Sequence, residues 1–184
     1  MSFGYWELTL AILIPAILYA SWIDYAQRRV PNWLNASLAA CGLIMQFTFF
    51  GWNGVGVGAL GLLVGFGVLI LPWMVRGMGA GDVKLMAAIG AWLGPWLTLV
   101  SFGVGAIIGG VVAVVMIYST GRVVHAYANL QTIMTKFRRL DTTFSDFGGA
   151  KTFGNTSQLL PYGVPLTAGT IGVLLTYYFG GWLP

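Results

Sequence analysis

Apolar residues fill this chain in long continuous blocks, with neither strict alternation nor a single helical stripe; Val55–Val75 is one such block. Blocks of about 20 apolar residues match a membrane-crossing α-helix, whereas a membrane β-barrel needs short segments of alternating polarity. The pattern predicts an all-α polytopic membrane protein with six crossings. The first covers about Gly4–Ile23, the second about Trp33–Phe50 and the third about Val55–Val75. Val83–Tyr118 is one apolar block of 36 residues. It is too long for one crossing and long enough for two, with Gly94-Pro95 as the turn. The sixth crossing covers about Leu160–Trp182.

Charge supports this count. The basic residues fall after the first crossing (Arg28, Arg29), around the third loop (Arg76, Lys84) and after the fifth (Arg122, Lys136, Arg138, Arg139, Lys151). Six crossings put all nine on one side, and the opposite turns near Gly51–Gly54 and Gly94-Pro95 carry none. The excess of Lys and Arg makes that side cytoplasmic and leaves both termini outside. The expected location is a cytoplasmic membrane, crossed several times.

Composition narrows the class further. The chain has 184 residues, is 58% hydrophobic and only 8% charged. Its mean hydropathy of +0.82 exceeds what a soluble domain of this size can hide. Residues 1–184 read as a single membrane-embedded domain. The net charge of +4 sits beside the apolar blocks, so nucleic acid is not an expected partner. The single cysteine, Cys41, excludes an internal disulfide and any Cys-x-x-Cys metal site, and it reads as a small packed residue. The first apolar block reads as a retained helix, having no basic stretch before it and no small-residue cleavage site after it.

The one long polar stretch is 121–159. Within it Val123, Tyr127, Leu130, Met134 and Phe137 recur at three- and four-residue spacing, while His125, Gln131, Lys136, Arg138 and Arg139 fall largely on other faces. This predicts an amphipathic helix on the cytoplasmic surface, drawn to anionic lipid, with a substrate-docking or gating element as the other reading. Gly54, Gly58, Gly61 and Gly65, then Gly105 and Gly109, are small residues four apart or nearly so, a spacing that lets helix backbones approach closely.

Against this apolar background two aspartates stand out. Asp24 lies at the predicted cytoplasmic end of the first helix and Asp82 at the cytoplasmic start of the fourth. Ionised carboxylates at the edge of a membrane segment are costly and are functional candidates by default. On neighbouring helices at equal depth, two carboxylates can share a water, one charged and one protonated. The charged one can deprotonate the water, and the protonated one can polarise a peptide carbonyl and donate to the leaving amine. Gly77, Gly79 and Gly81 before Asp82 allow positive φ and close approach, so an extended substrate strand could lie beside the carboxylate. Each aspartate also has a plain structural reading. Asp82 could cap the N-terminus of its helix, and Asp24 could be an interfacial anion beside Arg28. Pro31 stops the first helix, Asn32 can cap the second, and Lys84 reads as a cytoplasmic anchor. Glu7 reads as interfacial. No Ser-His-Asp set, His-x-x-x-His pair or phosphate-binding loop is present, so no metal or cofactor is called for.

These motifs resemble those of the type IV prepilin peptidases, membrane aspartic proteases of bacteria. The stretch Asp24 through Pro31-Asn32 is similar to the family's first-aspartate motif, and Gly79-Ala80-Gly81-Asp82-Val83-Lys84 to its Gly-x-Gly-Asp motif with the following Lys. Pro161-Tyr162-Gly163-Val164-Pro165 is similar to the element opening the family's last helix. The resemblance implies an endopeptidase that cuts the basic leader from a prepilin or pseudopilin at the cytoplasmic membrane face. Asp24 and Asp82 would be the catalytic pair, and Gly79, Gly81, Lys84, Pro31 and Asn32 would line the active-site loops. Larger family members carry a cytoplasmic insert with paired cysteines and also N-methylate the new terminus. Here the first loop has about nine residues and no paired cysteines exist. The resemblance is therefore to the short form found with tight-adherence (Flp-type) pilus systems, without methyltransferase activity.

Other readings remain at this level. An archaeal preflagellin peptidase would share the motifs. A presenilin-type protease would have nine spans and a Tyr before its first Asp, whereas Tyr25 follows Asp24. A small transporter could use both aspartates as a proton relay, and a structural component of a pilus assembly platform would need neither.

Overall fold

The computed structural model describes residues 4–27, 30–74, 78–120 and 162–180. The described residues form four α-helices: α1 (Tyr5–Gln27), α2 (Asn32–Met74), α3 (Ala80–Thr120) and α4 (Gly163–Phe179). The first three are long and apolar enough to cross a membrane, and α4 is a shorter apolar helix. The architecture is all-α, and the chain is a membrane protein. The surface helix expected within 121–159 lies outside the described residues, as do Arg28, Arg29, Arg76, Gly77 and Pro161.

Two of these helices are folded back on themselves. At 1.5 Å per residue, the 43 residues of α2 would run about 65 Å if straight, twice the hydrocarbon core of a bilayer. Gly51 interrupts α2 with φ 62° and ψ −147°, and Gly94 interrupts α3 with φ 73° and ψ 176°. Both are left-handed values that glycine adopts without a Cβ penalty. Gly54 then packs against the carbonyl of Gln46, eight residues earlier. A straight helix would separate those residues by about 12 Å. The expected turn at Gly94-Pro95 is present. The other turn, expected to span Gly51–Gly54, needs Gly51 alone. Gly54 is already helical and buried, because the returning arm presses on the arm it came from.

Glycines set how closely the arms approach. Gly61 meets the main chain of Gly90 and Gly94, and Gly65 meets that of Met86 and Ala87, so the second arm of α2 runs antiparallel to the first arm of α3. Gly105 and Gly109 of the second α3 arm meet Pro165 and Leu166 of α4. The small-residue spacing read from sequence is thus a packing device between backbones. Cys41 is exposed, contrary to expectation, because its neighbour Gly42 takes the position against Trp92.

The core runs along these seams, through Leu13, Ile17, Leu69, Leu85, Met86, Ile89, Trp92 and Leu174. α1 packs chiefly on α4, antiparallel to it: Asp24 faces Gly163 at one end, and Trp6 meets the Tyr177 ring at the other. Glu7, read as interfacial, has a local role as well. The Gly4 N–H donates to its Oε2 at 3.1 Å, closing the first turn of α1.

Candidate active site

The site is assembled at the end of the molecule where α1 finishes and α2, α3 and α4 begin. Asp24 lies in the last turn of α1, where helices ordinarily carry cations; Asp82 lies in the first turn of α3, a favourable place for a carboxylate. Both side chains are buried, with 7% and 5% of their surface exposed. They are close enough for the charge of one to act on the other.

Each carboxylate rests on a glycine. A Cβ on Gly163 would lie 2.8 Å from Asp24 Oδ2, so only glycine lets the start of α4 come this close. A Cβ on Gly79 would lie 3.3 Å from Asp82 Oδ2. The Asp82 N–H donates to the Gly79 carbonyl at 3.2 Å, which places Gly79 at the cap of α3. Asp82 is therefore inside the first turn and is not the N-cap, because α3 starts two residues earlier, at Ala80. Asp24 Oδ2 and Asp82 Oδ1 are buried and have no hydrogen-bond partner among the described residues.

The remaining sequence-predicted residues gather round Asp82. Among the described glycines only Gly51 and Gly94 have positive φ, so Gly79 and Gly81 serve close approach and not a left-handed turn. The Val30 nitrogen lies 3.2 Å from where a Cβ on Gly81 would stand, which seats the extended Val30-Pro31 segment against the start of α3. The Pro31 carbonyl accepts the Asn35 N–H at 3.3 Å and so opens α2. The exposed Asn32 side chain bonds Lys84, Nζ to Oδ1 at 2.8 Å, tying the first turn of α2 to that of α3. Lys84 and Asn32 thus have a specific partner in each other, beyond the anchor and cap roles read from sequence.

Three residues near the carboxylates were not singled out in the sequence. Ser21, one turn before Asp24, donates from Oγ to the Gly163 carbonyl at 3.1 Å and also meets Thr167 Oγ1. These hydroxyls fix the α1–α4 seam beside Asp24. Asn35 is buried, and its Nδ2 donates to the Gly81 carbonyl at 3.4 Å. A polar residue one turn from a motif residue, inside an apolar block, was the available signal for Ser21 and Asn35.

Among the described residues no group of three or more His, Cys, Asp or Glu could hold a metal ion. What the arrangement offers is a pair of buried carboxylates, Asp82 under the charge of Asp24, each with an oxygen that has no partner among the described residues. Such a pair can hold a water and move protons.

The comparisons with known proteins agree with this geometry. The model of the type IV leader peptidase family matches residues 11–114, a span that contains both aspartates, both glycine turns and the Lys84–Asn32 contact. The chain belongs to the type IV leader peptidase family, and it is accordingly a leader-peptidase-like protease of the membrane. Searches of curated proteins and of solved structures gave no match. The start of α4, with Gly163, lies beyond the matched span.

Proposed function

We propose that this protein is an aspartic endopeptidase that removes the basic leader from a prepilin or pseudopilin at the cytoplasmic face of the bacterial inner membrane. The supporting observation is the pair of buried carboxylates on α1 and α3, each with an unpartnered oxygen, within reach of each other's charge. Family membership supplies the substrate class.

In this reading one carboxylate is ionised and the other protonated, as a shared site requires. The ionised one takes a proton from a water held between them. The water oxygen attacks the scissile carbonyl carbon, whose oxygen accepts a hydrogen bond from the protonated carboxyl. The C–N bond then breaks as a proton passes to the leaving amine, and the pair returns to its one-proton state. No covalent intermediate or metal takes part. Gly79 and Gly81 let Asp82 and Val30 close onto the start of α3, and Pro31 and Asn32 open α2 beside them. Lys84 holds Asn32 in place at the edge of the site where an extended substrate would lie.

The same reading takes the two folded helices as two crossings each, giving six in all with α1 and α4. The side rich in Lys and Arg is then cytoplasmic and the termini lie outside. It also takes the chain as the short form, cutting Flp-type prepilins without methylating them. The test is co-expression of wild type, Asp24→Asn and Asp82→Asn with a tagged Flp-type prepilin and a tagged archaeal preflagellin. Leader loss from the prepilin, present in wild type and absent from both variants, is expected. Processing of the preflagellin alone would move the substrate to the archaeal class. Processing that persists in either variant would remove that aspartate from the mechanism.

A further inference from the structure

Besides the two carboxylates, the described residues hold a third unpartnered buried side chain at this end of the molecule, Asn35 Oδ1. Asn35 is only 4% exposed. The amide orientation is fixed chemically: its partner is the carbonyl of Gly81, which can only accept, so the Nδ2 group faces it and Oδ1 is left over. The contrast with Asn32, one turn earlier on α2, is informative. Asn32 is exposed and its Oδ1 is satisfied by Lys84. Asn35 is buried, and its Oδ1 takes no donor from the described residues.

Asn35 is anchored to the residue directly before Asp82, so its free oxygen belongs to the same locality as the dyad. A water can donate to the two carboxylates and is then used up. The third acceptor needs a donor of its own. An extended peptide supplies one, because its N–H and C=O groups alternate along the strand: with a carbonyl at the dyad, a neighbouring N–H is available to an adjacent acceptor. We propose that Asn35 is a substrate-binding residue, its Nδ2 held by Gly81 and its Oδ1 accepting one main-chain N–H of the substrate beside the scissile bond. The inference rests on the peptidase reading above.

The test is a cycle between enzyme and substrate in purified full-length protein. A prepilin-derived peptide is made with each amide N–H near the cleavage site replaced in turn by an ester oxygen. Each version is assayed with wild type, Asn35→Leu and Asn35→Asp. For wild type one ester position is expected to lower kcat/KM by roughly three- to tenfold, the size of one neutral hydrogen bond. Asn35→Leu should lower kcat/KM for the all-amide peptide by a similar factor and show no further loss at that position. Asn35→Asp in its neutral acid form keeps both an O–H donor for the Gly81 carbonyl and an acceptor oxygen, and should keep the ester penalty. An ester penalty that persists unchanged in a folded Asn35→Leu enzyme, or no ester penalty in wild type, would overturn the proposal. If Asn35→Leu does not fold, loss of the ester penalty in Asn35→Asp would overturn it as well. Asp24→Asn and Asp82→Asn are run alongside. If they cleave as wild type does, the dyad reading fails; if they are inactive and the cycle is flat, only the role of Asn35 fails.

Discussion

The two ends of the helix assembly treat buried polar groups in opposite ways. At the end with the glycine turns, the Trp92 carbonyl sits two residues before Gly94, where helix carbonyls lose their own partners. It is taken by Tyr5 Oη and by Gln46 Nε2, the latter at 3.1 Å. The Trp92 indole N–H donates to the Leu38 carbonyl at 2.8 Å, and Thr98 Oγ1 donates to the Gly94 carbonyl at 2.5 Å. At the opposite end Asp24, Asp82 and Asn35 each keep a buried oxygen without a partner among the described residues. Proteins satisfy nearly all buried polar groups, so it is informative that three of the four exceptions among the described residues fall at this end, the fourth being Ser101 Oγ on the second arm of α3. The satisfied end ties helix to helix, and the other end holds the candidate site.

This contrast can be broken by substitution. The largest effect is expected for Asp24→Asn and Asp82→Asn. Each should cut leader processing by roughly 10²–10⁴-fold, the usual worth of general acid–base catalysis, with thermal stability in detergent unchanged or raised. Loss of folding in both would shift the aspartates to a structural role. Gly163→Ala should come next. Its Cβ would press on the Asp24 carboxylate, and a displacement of about 1 Å can cost up to about a hundredfold in rate. Normal turnover in this variant would detach α4 from the site.

Gly61→Ala should act on the fold instead. Its methyl meets the Gly90 main chain, and overpacking of this kind costs typically 1–3 kcal/mol, read as a lower unfolding temperature with retained activity per folded molecule. Gln46→Leu, at the satisfied end, should cost about 1 kcal/mol for one hydrogen bond and leave kcat untouched. A larger fall in kcat than in stability would show that the Trp92 clamp reaches the site. Lys84→Met should have the smallest effect on stability, under about 1 kcal/mol, because its bond to Asn32 is exposed.

Much of this arrangement is legible in the sequence because it rests on chemistry the chain cannot disguise. Two carboxylates flanking apolar blocks had to share one end once the blocks were long enough to cross and return. Glycines four apart had to mark close helix seams. What escaped was local and depended on tertiary contact. Gly79 and Gly81 read as allowing positive φ and close approach; only the close approach is used, with Asp82 and Val30 lying against them. Asn32 reads as a cap, and its bond to Lys84 is not visible in the sequence. Asn35, Ser21 and Thr167 do not stand out in the sequence, since nothing local shows which polar residue in an apolar helix will bond across a helix seam.

The sharpness of the Gly51 and Gly94 reversals bears on how the chain enters a bilayer. From Asn32 to Met74 there is no Asp, Glu, Lys or Arg, and none follows Lys84 in α3. In the proposed six-crossing topology, each folded helix can be delivered as a closed hairpin, with its hinge leading and no charge to drag through hydrocarbon. The residues that must stay behind, the aspartates and Lys84, all lie at the trailing end. Biosynthesis and catalysis then make the same demand on the chain, that its polar chemistry collect where the hairpins open.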